Sequence, residues 1–322
     1  MAVFTDVSFD EAAALVARLG LGELVALDGV ASGIENTNYF ADTATGRYVL
    51  TLFERLDATQ LPFYLLLMKH LAERGIPVPG PKADAAGEVL HRVAGKPAAV
   101  VDRLHGRHHL APDTIHCASL GAMLARLHLA GSDFALAQPN LRGLTWWNQT
   151  APQIAPFLGA AQRTLLDDEL VYQNHLAGSA AYAALPRGPI HADLFRDNVM
   201  FADAAGAELS GLLDFYFAAV DTFLFDIAVC LNDWCIDLES GRLVEDRAAS
   251  LVAAYDRVRP LGSGELRLLP ALARAAALRF WISRLWDLHL PRDASVLTPH
   301  DPSHFERVLQ ARVDFPWHPV RS

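Results

Sequence analysis

The sequence is poor in cysteine, and it lacks basic clusters, low-complexity tracts and internal repeats. Three cysteines, an odd number in a chain of 322 residues, indicate reduced thiols in a cytosol. The net charge is −10, whereas a protein that binds duplex nucleic acid needs a basic face to neutralise phosphates. We therefore expect no nucleic-acid partner. A nucleotide remains a possible ligand, because backbone amides and a metal ion can hold phosphates in an acidic protein.

Long apolar runs free of charge are also missing. The most apolar segment, Leu212 to Leu231, contains three aspartates that a lipid-spanning helix would tolerate poorly. At the start of the chain, acidic residues stand where a signal peptide needs a basic start and an apolar run. The sequence thus predicts a cytoplasmic protein with no membrane partner.

Hydrophobic residues make up 52% of the chain and charged residues 20%, which is ample material for a packed core. Ser8-Phe9-Asp10-Glu11 has the form of a capping box, which predicts a first helix from about Phe9 to Leu19. A small antiparallel sheet with one helix after its third strand follows. Helices dominate from Asp113 onwards, and the first of them covers Thr114 to Ala130 with Gly131 as its stop signal. A β-hairpin interrupts the helices, with its turn around Ala204 to Gly206 and its end at Asp214. This is an α+β arrangement of two lobes, residues 1–104 and 105–322, and the cleft between lobes is the expected ligand site.

The strongest chemical signal is His191-x-Asp193 followed by Asn198, a hairpin, and Asp214 at a strand end. Transfer of a phosphoryl group to a hydroxyl needs a carboxylate that orients the hydroxyl and accepts its proton, and Asp193 fits that role. It also needs Mg²⁺, for which Asn198 and Asp214 offer hard oxygen ligands. The alternative is that Asp193 and Asn198 only satisfy a tight loop.

This pattern resembles the catalytic and metal-binding loops of aminoglycoside phosphotransferases, choline kinases and their relatives. The resemblance implies a two-lobed, protein-kinase-like fold that uses ATP and Mg²⁺. It implies that Asp193 is the catalytic base and that Asn198 and Asp214 hold the metal. His191 and Asp226, the latter in the stretch Phe225 to Ala228, would brace the loop, although Asp226 could also simply cap a helix.

A closer resemblance is to bacterial homoserine kinases of this superfamily. It lies in four stretches, which are Gly33 to Phe40, Arg47 to Glu54, His191 to Asn198, and Phe280 to Leu285 continuing to Pro302. The resemblance implies phosphorylation of the hydroxyl of L-homoserine to O-phosphohomoserine in threonine biosynthesis. The first lobe would then bind the nucleotide, and the second would carry catalysis and the acceptor.

Two segments of the first lobe are the expected ATP-binding elements. The loop from Ser32 to Asn38 would meet the phosphates with Ser32, Gly33, Asn36 and Asn38, although by itself it could be a polar hairpin turn. Backbone groups of a hinge strand would meet adenine, with Val101, Asp102 and Leu104 as candidates. The third strand lacks the lysine that many relatives use for the phosphates, so the phosphate charge must be met otherwise.

Homoserine carries an ammonium and a carboxylate, so its pocket should present an acid and a cation. Asp233 and Arg284 are the candidates, although either could be a surface ion pair or a solvated charge. Two other functions stay open at this point. One is a kinase for another small alcohol, such as an amino alcohol, aminoglycoside or sugar derivative. The other is a non-catalytic nucleotide-binding module, against which the intact Asp193, Asn198 and Asp214 argue.

Overall fold

The structure, a computed structural model, describes residues 4–30, 36–203, 208–290 and 300–320. The chain forms two compact units. The sequence-based boundary lies after residue 104. In the structure the first unit reaches His105 and also includes Gly211–Leu213, and the remainder forms the second unit.

The first unit consists of two helices and a five-stranded sheet. The elements are α1 (Phe9–Arg18), β1 (Leu24–Gly29), β2 (Asn36–Thr43), β3 (Arg47–Phe53), α2 (Leu61–Glu73), β4 (His91–Val93) and β5 (Lys96–Asp102). Helix α1 begins with the capping box that the sequence predicts, because the Ser8 hydroxyl accepts from the Glu11 N–H at 3.3 Å and the Glu11 carboxylate accepts from the Ser8 N–H at 3.1 Å.

The sheet has the strand order β1-β2-β3-β5-β4 with antiparallel neighbours. Because side chains alternate between the two faces of a strand, the register divides the sheet residues into two sets. Tyr39, Leu50 and Val100 lie in one cross-strand row, and they pack into the same hydrophobic cluster as α1. Asn38 and Thr51 lie in the adjacent row and therefore on the opposite face.

The second unit is mainly helical. Its helices are α3 (Thr114–Ala130), α4 (Leu144–Ile154), α5 (Ala160–Ala177), α6 (Ala180–Ala183), α7 (Phe223–Trp234), α8 (Glu245–Val258), α9 (Ser263–His289) and α10 (Ser303–Asp314). Its strands are β6 (Arg187–Ile190), β7 (Val199–Phe201) and β9 (Ala219–Thr222), and β8 (Leu209–Leu212) crosses from this unit into the first. Helix α3 packs on α8, and α9 packs on both α7 and α10.

The predicted α+β class is confirmed, with an antiparallel sheet early in the chain and helices in most of the remainder. The predicted hairpin corresponds to β7 and β8, and its predicted turn around Ala204 to Gly206 lies outside the described residues. The sequence patterns predict neither the helices α4, α6, α7 and α10 nor the β6–β9 pair. Among the described residues, none of the helices combines the length and apolar character needed to span a membrane.

Candidate active site

The predicted catalytic loop, residues 191–198, connects β6 to β7 and begins in a strained conformation. Ala192 has a φ of +64°, in the left-handed region that residues other than glycine seldom adopt. Asp226 holds this turn, because its two carboxylate oxygens accept the N–H groups of His191 and Ala192, each at 2.8 Å. The bracing predicted for Asp226 therefore has a direct geometric basis in the loop's backbone.

Asp226 is itself held by a buried chain of side chains. His128 Nε2 lies 3.1 Å from the Asp226 carboxylate, and His128 Nδ1 lies 2.7 Å from the Tyr255 hydroxyl. Burial lowers the pKa of His128, so a neutral ring that donates from Nε2 and accepts at Nδ1 fits both contacts. Burial alone would raise the pKa of Asp226, but the hydrogen bonds from His128 and from the His191 N–H hold it below its ordinary value.

The helix-capping alternative for Asp226 does not fit the start of α7. The N-cap is Thr222, whose hydroxyl accepts from the Phe225 N–H at 3.2 Å. Both oxygens of Asp226 instead face groups in the catalytic loop and on α3. His191, predicted as the second bracing residue, is fully buried, and its Nδ1 accepts from the Asp193 N–H at 3.3 Å.

The Asp193 carboxylate is contacted on both oxygens. Arg279 Nη1 lies 3.2 Å from Oδ1, and Asn198 Nδ2 lies 3.4 Å from Oδ2. Asn198 Nδ2 also donates to the Asp193 carbonyl at 2.8 Å. Burial raises the pKa of Asp193 to about 8; Arg279 opposes this rise, while Asp214 and other nearby carboxylates add to it. Addition of a cation beside these carboxylates would favour the ionised form, the one that can accept a proton.

The chemistry of Asn198 and Asp214 fits a hard divalent cation. The Asn198 amide nitrogen is engaged with Asp193, which leaves its carbonyl oxygen as the ligand atom. Asp214 follows the end of β8, and its φ of +58° lies in the left-handed region, like that of Ala192. Among the described residues no cluster of three or more His, Cys, Asp and Glu side chains could hold a metal. Two oxygen ligands suit Mg²⁺, which usually keeps waters and substrate phosphates in its shell.

Asp233, predicted to bind the acceptor, contacts the catalytic loop. Its Oδ2 accepts from the Arg196 backbone N–H at 2.8 Å and from Arg196 Nε at 3.1 Å. Nearby, the Trp234 indole N–H donates to the Leu194 carbonyl at 3.0 Å. These contacts attach the second half of the loop to the C-terminal end of α7. The geometry favours the ion-pair alternative for Asp233, and its predicted substrate contact stays a prediction.

Arg284, the other predicted acceptor residue, lies on α9. Its guanidinium carbon is 4.4 Å from the centre of the Phe305 ring, and Nη1 donates to the Asp301 carbonyl at 3.2 Å. The pKa of Arg284 is lowered by burial, while Asp233 and Asp193 are among the carboxylates that counter this effect. Arg284 therefore lies in the electrostatic environment of the predicted catalytic residues.

Arg279 is not among the residues predicted from the sequence; it is only 3% exposed and lies on α9 beside Asp193. Its guanidinium carbon is 3.7 Å from the ring centre of Phe280 and 4.9 Å from that of Phe217. A signal was present, because an isolated arginine interrupts an otherwise apolar run from Ala275 to Ile282. Such a charge in a buried stretch needs a partner, and here the partner is Asp193.

The predicted nucleotide-binding residues are found in the first unit, apart from Ser32 and Gly33, which lie outside the described residues. Asn36 and Asn38 are half-buried at the start of β2, and the Asn38 Oδ1 accepts from the Thr51 hydroxyl at 2.7 Å. Thr51 occupies the middle of β3, the strand that lacks a lysine. The nucleotide roles of these residues stay predictions.

The predicted hinge residues differ in how their backbones are engaged. The Asp102 N–H donates to the Gly80 carbonyl at 3.1 Å, and the Asp102 carboxylate forms an ion pair with Lys82 at 2.6 Å. Val101 pairs with Val49 inside the sheet. Within the described parts of the chain, no acceptor is found for the Leu104 N–H. Of the three, Leu104 is thus the residue whose backbone donor is not engaged within the described chain, and its contact with adenine stays a prediction.

Comparisons with known proteins show the family of this chain. The model of the "Phosphotransferase enzyme family" matches residues 27–261. Homoserine kinase from Polaromonas naphthalenivorans is 65% identical over 98% of this chain and 99% of its own length. Homoserine kinase from Janthinobacterium sp. (strain Marseille) is 52% identical over 98% of this chain and 97% of its own length.

Among solved structures, the amicoumacin kinase in complex with AMP-PNP, Ca²⁺ and Ami has a TM-score of 0.67 at 18% identity. The alignment covers 96% of this chain and 94% of that kinase, and at this identity it shows the fold. The fold and the family model define a phosphotransferase. At the identity and coverage of its curated relatives, the chain belongs to the homoserine kinase family within that class.

Proposed function

We propose that this protein transfers the γ-phosphoryl group of ATP to the side-chain hydroxyl of L-homoserine, with Mg²⁺ as the metal. The products are ADP and O-phosphohomoserine, a precursor for threonine biosynthesis. The observation that carries the chemistry is the Asp193 carboxylate, held on a strained loop by Asp226, Asn198 and Arg279. The acceptor is supported by full-length similarity to homoserine kinases.

In this reaction Asp193 accepts the proton of the substrate hydroxyl as the oxygen forms a bond to the γ-phosphorus. The bond between that phosphorus and the β,γ-bridging oxygen breaks, and ADP leaves with the bonding electrons. Asn198 holds Asp193 from one side and Arg279 from the other, so the carboxylate is fixed before the acceptor binds. This preorganisation reduces the cost of orienting the base.

Mg²⁺ bound by Asn198 and Asp214 would neutralise charge on the phosphates and lower the pKa of Asp193. In the first unit, we propose that the segment from Ser32 to Asn38 binds the phosphates. The Leu104 N–H would meet the adenine base. Val101 and Asp102 would hold the hinge strand before Leu104 in place, Val101 through its pairing in the sheet and Asp102 through its hydrogen bond to Gly80.

Arginines near Asp193 could attract an anionic group of the acceptor. Arg279 contacts Asp193 directly, and Arg142 and Arg284 are both close enough to Arg279 to lower its pKa electrostatically, although burial is the main cause of that shift. These arginines would attract the carboxylate of an amino acid, and the carboxylates around Asp193 would attract its ammonium, whereas choline has no anionic group for the arginines. Arg284 remains our proposed contact for that carboxylate. Asp233 could meet the ammonium only through its Oδ1, because Arg196 donates to Oδ2.

The test is a coupled ADP-release assay with homoserine, choline, ethanolamine, hydroxylysine and an aminoglycoside as acceptors. Homoserine should give a kcat/KM at least about 100-fold above every other acceptor, a difference of about 2.7 kcal/mol. Asp193→Asn serves as the catalytic control and should give background rates with every acceptor. A preference for choline or an aminoglycoside over homoserine would overturn the substrate assignment and leave the phosphotransferase class unchanged.

A further inference from the structure

Arg279 has more hydrogen-bonding capacity than its contacts in the structure use. A guanidinium carries N–H donors on Nε and on both Nη atoms, arranged in a planar fork. Within the described residues the guanidinium has one hydrogen bond, from Nη1 to Asp193 Oδ1. The side chain is 3% exposed, and the donors without a partner are not fully buried, so they keep a small contact with solvent through which a ligand can reach them.

Burial of unused donors on a cation is costly, and a structure that retains such donors usually supplies an acceptor for them. The aromatic rings of Phe217 and Phe280 contact the guanidinium but accept no conventional hydrogen bond. Asp193 is a single carboxylate, and its Oδ2 lies towards Asn198. The acceptor that would complete the Arg279 fork is therefore absent from the described protein.

The position of Arg279 limits what that acceptor can be. A ligand that reaches its free N–H groups lies next to Asp193, the group to which the proposed reaction brings the substrate hydroxyl. In an amino-acid alcohol the hydroxyl and the carboxylate belong to the same short molecule. Such a molecule can place its hydroxyl against Asp193 and its carboxylate against the neighbouring guanidinium.

Arg284 is less suited to this position. Its Nη1 donates to the Asp301 carbonyl, and its guanidinium covers the Phe305 ring. No described contact joins Arg284 to Asp193, whereas Arg279 contacts it directly. Arg284 thus contributes positive charge at a distance, and Arg279 provides the donors beside the predicted base.

We infer that Arg279 is the specificity-determining residue for the acceptor: one N–H group orients Asp193, and the free part of its fork binds the substrate carboxylate. This inference rests on the proposed homoserine kinase activity and adds a residue to it. It predicts that acceptors without a carboxylate lose the contact with the free part of the Arg279 fork. It also predicts that loss of Arg279 removes discrimination between charged and neutral acceptors.

The experiment compares L-homoserine with L-homoserine amide, in which a neutral amide replaces the carboxylate. Initial rates are measured for the wild-type protein, Arg279→Gln and Arg279→Lys, with Arg267→Gln as a matched control on the exposed side of the same helix. Calorimetric titration with AMP-PNP and thermal unfolding check that each variant is folded and binds nucleotide. Inhibition by L-2-aminobutyrate, which keeps the carboxylate and lacks the hydroxyl, gives a readout that does not require turnover.

We expect the wild-type protein and Arg267→Gln to prefer homoserine over its amide by at least about 100-fold in kcat/KM. In Arg279→Gln this ratio should fall to less than about 5-fold, and inhibition by L-2-aminobutyrate should be lost. Arg279→Lys should keep part of the preference, because it keeps the charge without the fork. If Arg279 only positions Asp193, both substrates slow equally and the ratio is unchanged, which would overturn the inference. If the wild-type protein does not phosphorylate homoserine at all, the proposed function fails instead.

Discussion

Replacement of Asp226 by asparagine tests how the strained catalytic loop is held. Aspartate accepts three hydrogen bonds here, from the Ala192 N–H on Oδ1 and from the His191 N–H and His128 Nε2 on Oδ2. Asparagine has one oxygen and one NH₂ group in the same positions. In either orientation its NH₂ group faces a backbone N–H, so at least one hydrogen bond becomes a contact between two donors.

The size of the effect follows from these three contacts. A hydrogen bond to a charged acceptor contributes about 1.5–3 kcal/mol, and the bonds that remain weaken because the amide is neutral. The left-handed Ala192 adds about 1–2 kcal/mol of strain that the new contacts no longer offset. We expect Asp226→Asn to lower the free energy of unfolding by about 3–5 kcal/mol, the range for removal of one partner from a buried charged network.

Urea denaturation followed by circular dichroism measures this difference, with Asp246→Asn as the control at an exposed position in the first turn of α8. The control should change the free energy of unfolding by less than about 0.5 kcal/mol. At temperatures where Asp226→Asn remains folded, its kcat should fall by about 100-fold or more, because Asp193 follows the loosened turn. A loss of stability below about 1 kcal/mol together with unchanged kcat would refute the bracing role.

Three further predictions concern the groups around Asp193. Asp193→Asn should reduce kcat by at least about 100-fold because the amide cannot accept the proton, and near-normal turnover would exclude the base role. Since burial already raises the pKa of Asp193, the unfolding midpoint of this variant should not decrease. Asn198→Ala and Asp214→Ala should both raise the Mg²⁺ concentration for half-maximal activity, and the effect of Asp214→Ala should be larger because a charge is lost. Unchanged Mg²⁺ titrations would count against this metal site. Arg284→Met should raise the KM for homoserine about tenfold, or about 1.4 kcal/mol, with the Kd for AMP-PNP unchanged; an unaltered KM would leave Arg279 as the sole proposed carboxylate contact.

Local signals in the sequence predict most of the elements of the first unit. The capping box at Ser8 fixes the start of α1, and alternation of apolar residues indicates the strands that form the sheet. Helix α3 is predicted with the bounds Thr114–Ala130 that the structure has, since Asp113 caps its start and Gly131 follows its end. Short-range chemistry of this kind requires no knowledge of the tertiary packing.

Helix α7 and the β6–β9 pair, which have no prediction, depend on non-local contacts. All but one of the residues of α7 are buried, so this helix has almost no polar face and its sequence shows no helical period. Strands β6 and β9 pair across about thirty residues of intervening chain, and each is only four residues long. Helix α10 does have a buried stripe that includes Phe305, Val308 and Leu309, a pattern that a periodicity analysis could detect.

The sequence motif selects Asp193, Asn198, Asp214 and Asp226 because their spacing is local or is fixed by one hairpin. His128 and Arg279 cannot be assigned in this way. They come from α3 and α9, 98 residues before Asp226 and 86 residues after Asp193 in the chain. Their partners become visible only when the helices are packed, although a lone buried arginine in α9 was a usable signal.

Direct identification of the product tests the central claim most closely. The purified protein is incubated with ATP, Mg²⁺ and L-homoserine, and the reaction is followed by ³¹P NMR and mass spectrometry, with Asp193→Asn as the control. The account predicts a phosphomonoester of homoserine formed in equal amount to ADP, which Asp193→Asn does not produce above background. ADP release with inorganic phosphate as the phosphorus product, or an unphosphorylated homoserine pool after ATP is consumed, would contradict it.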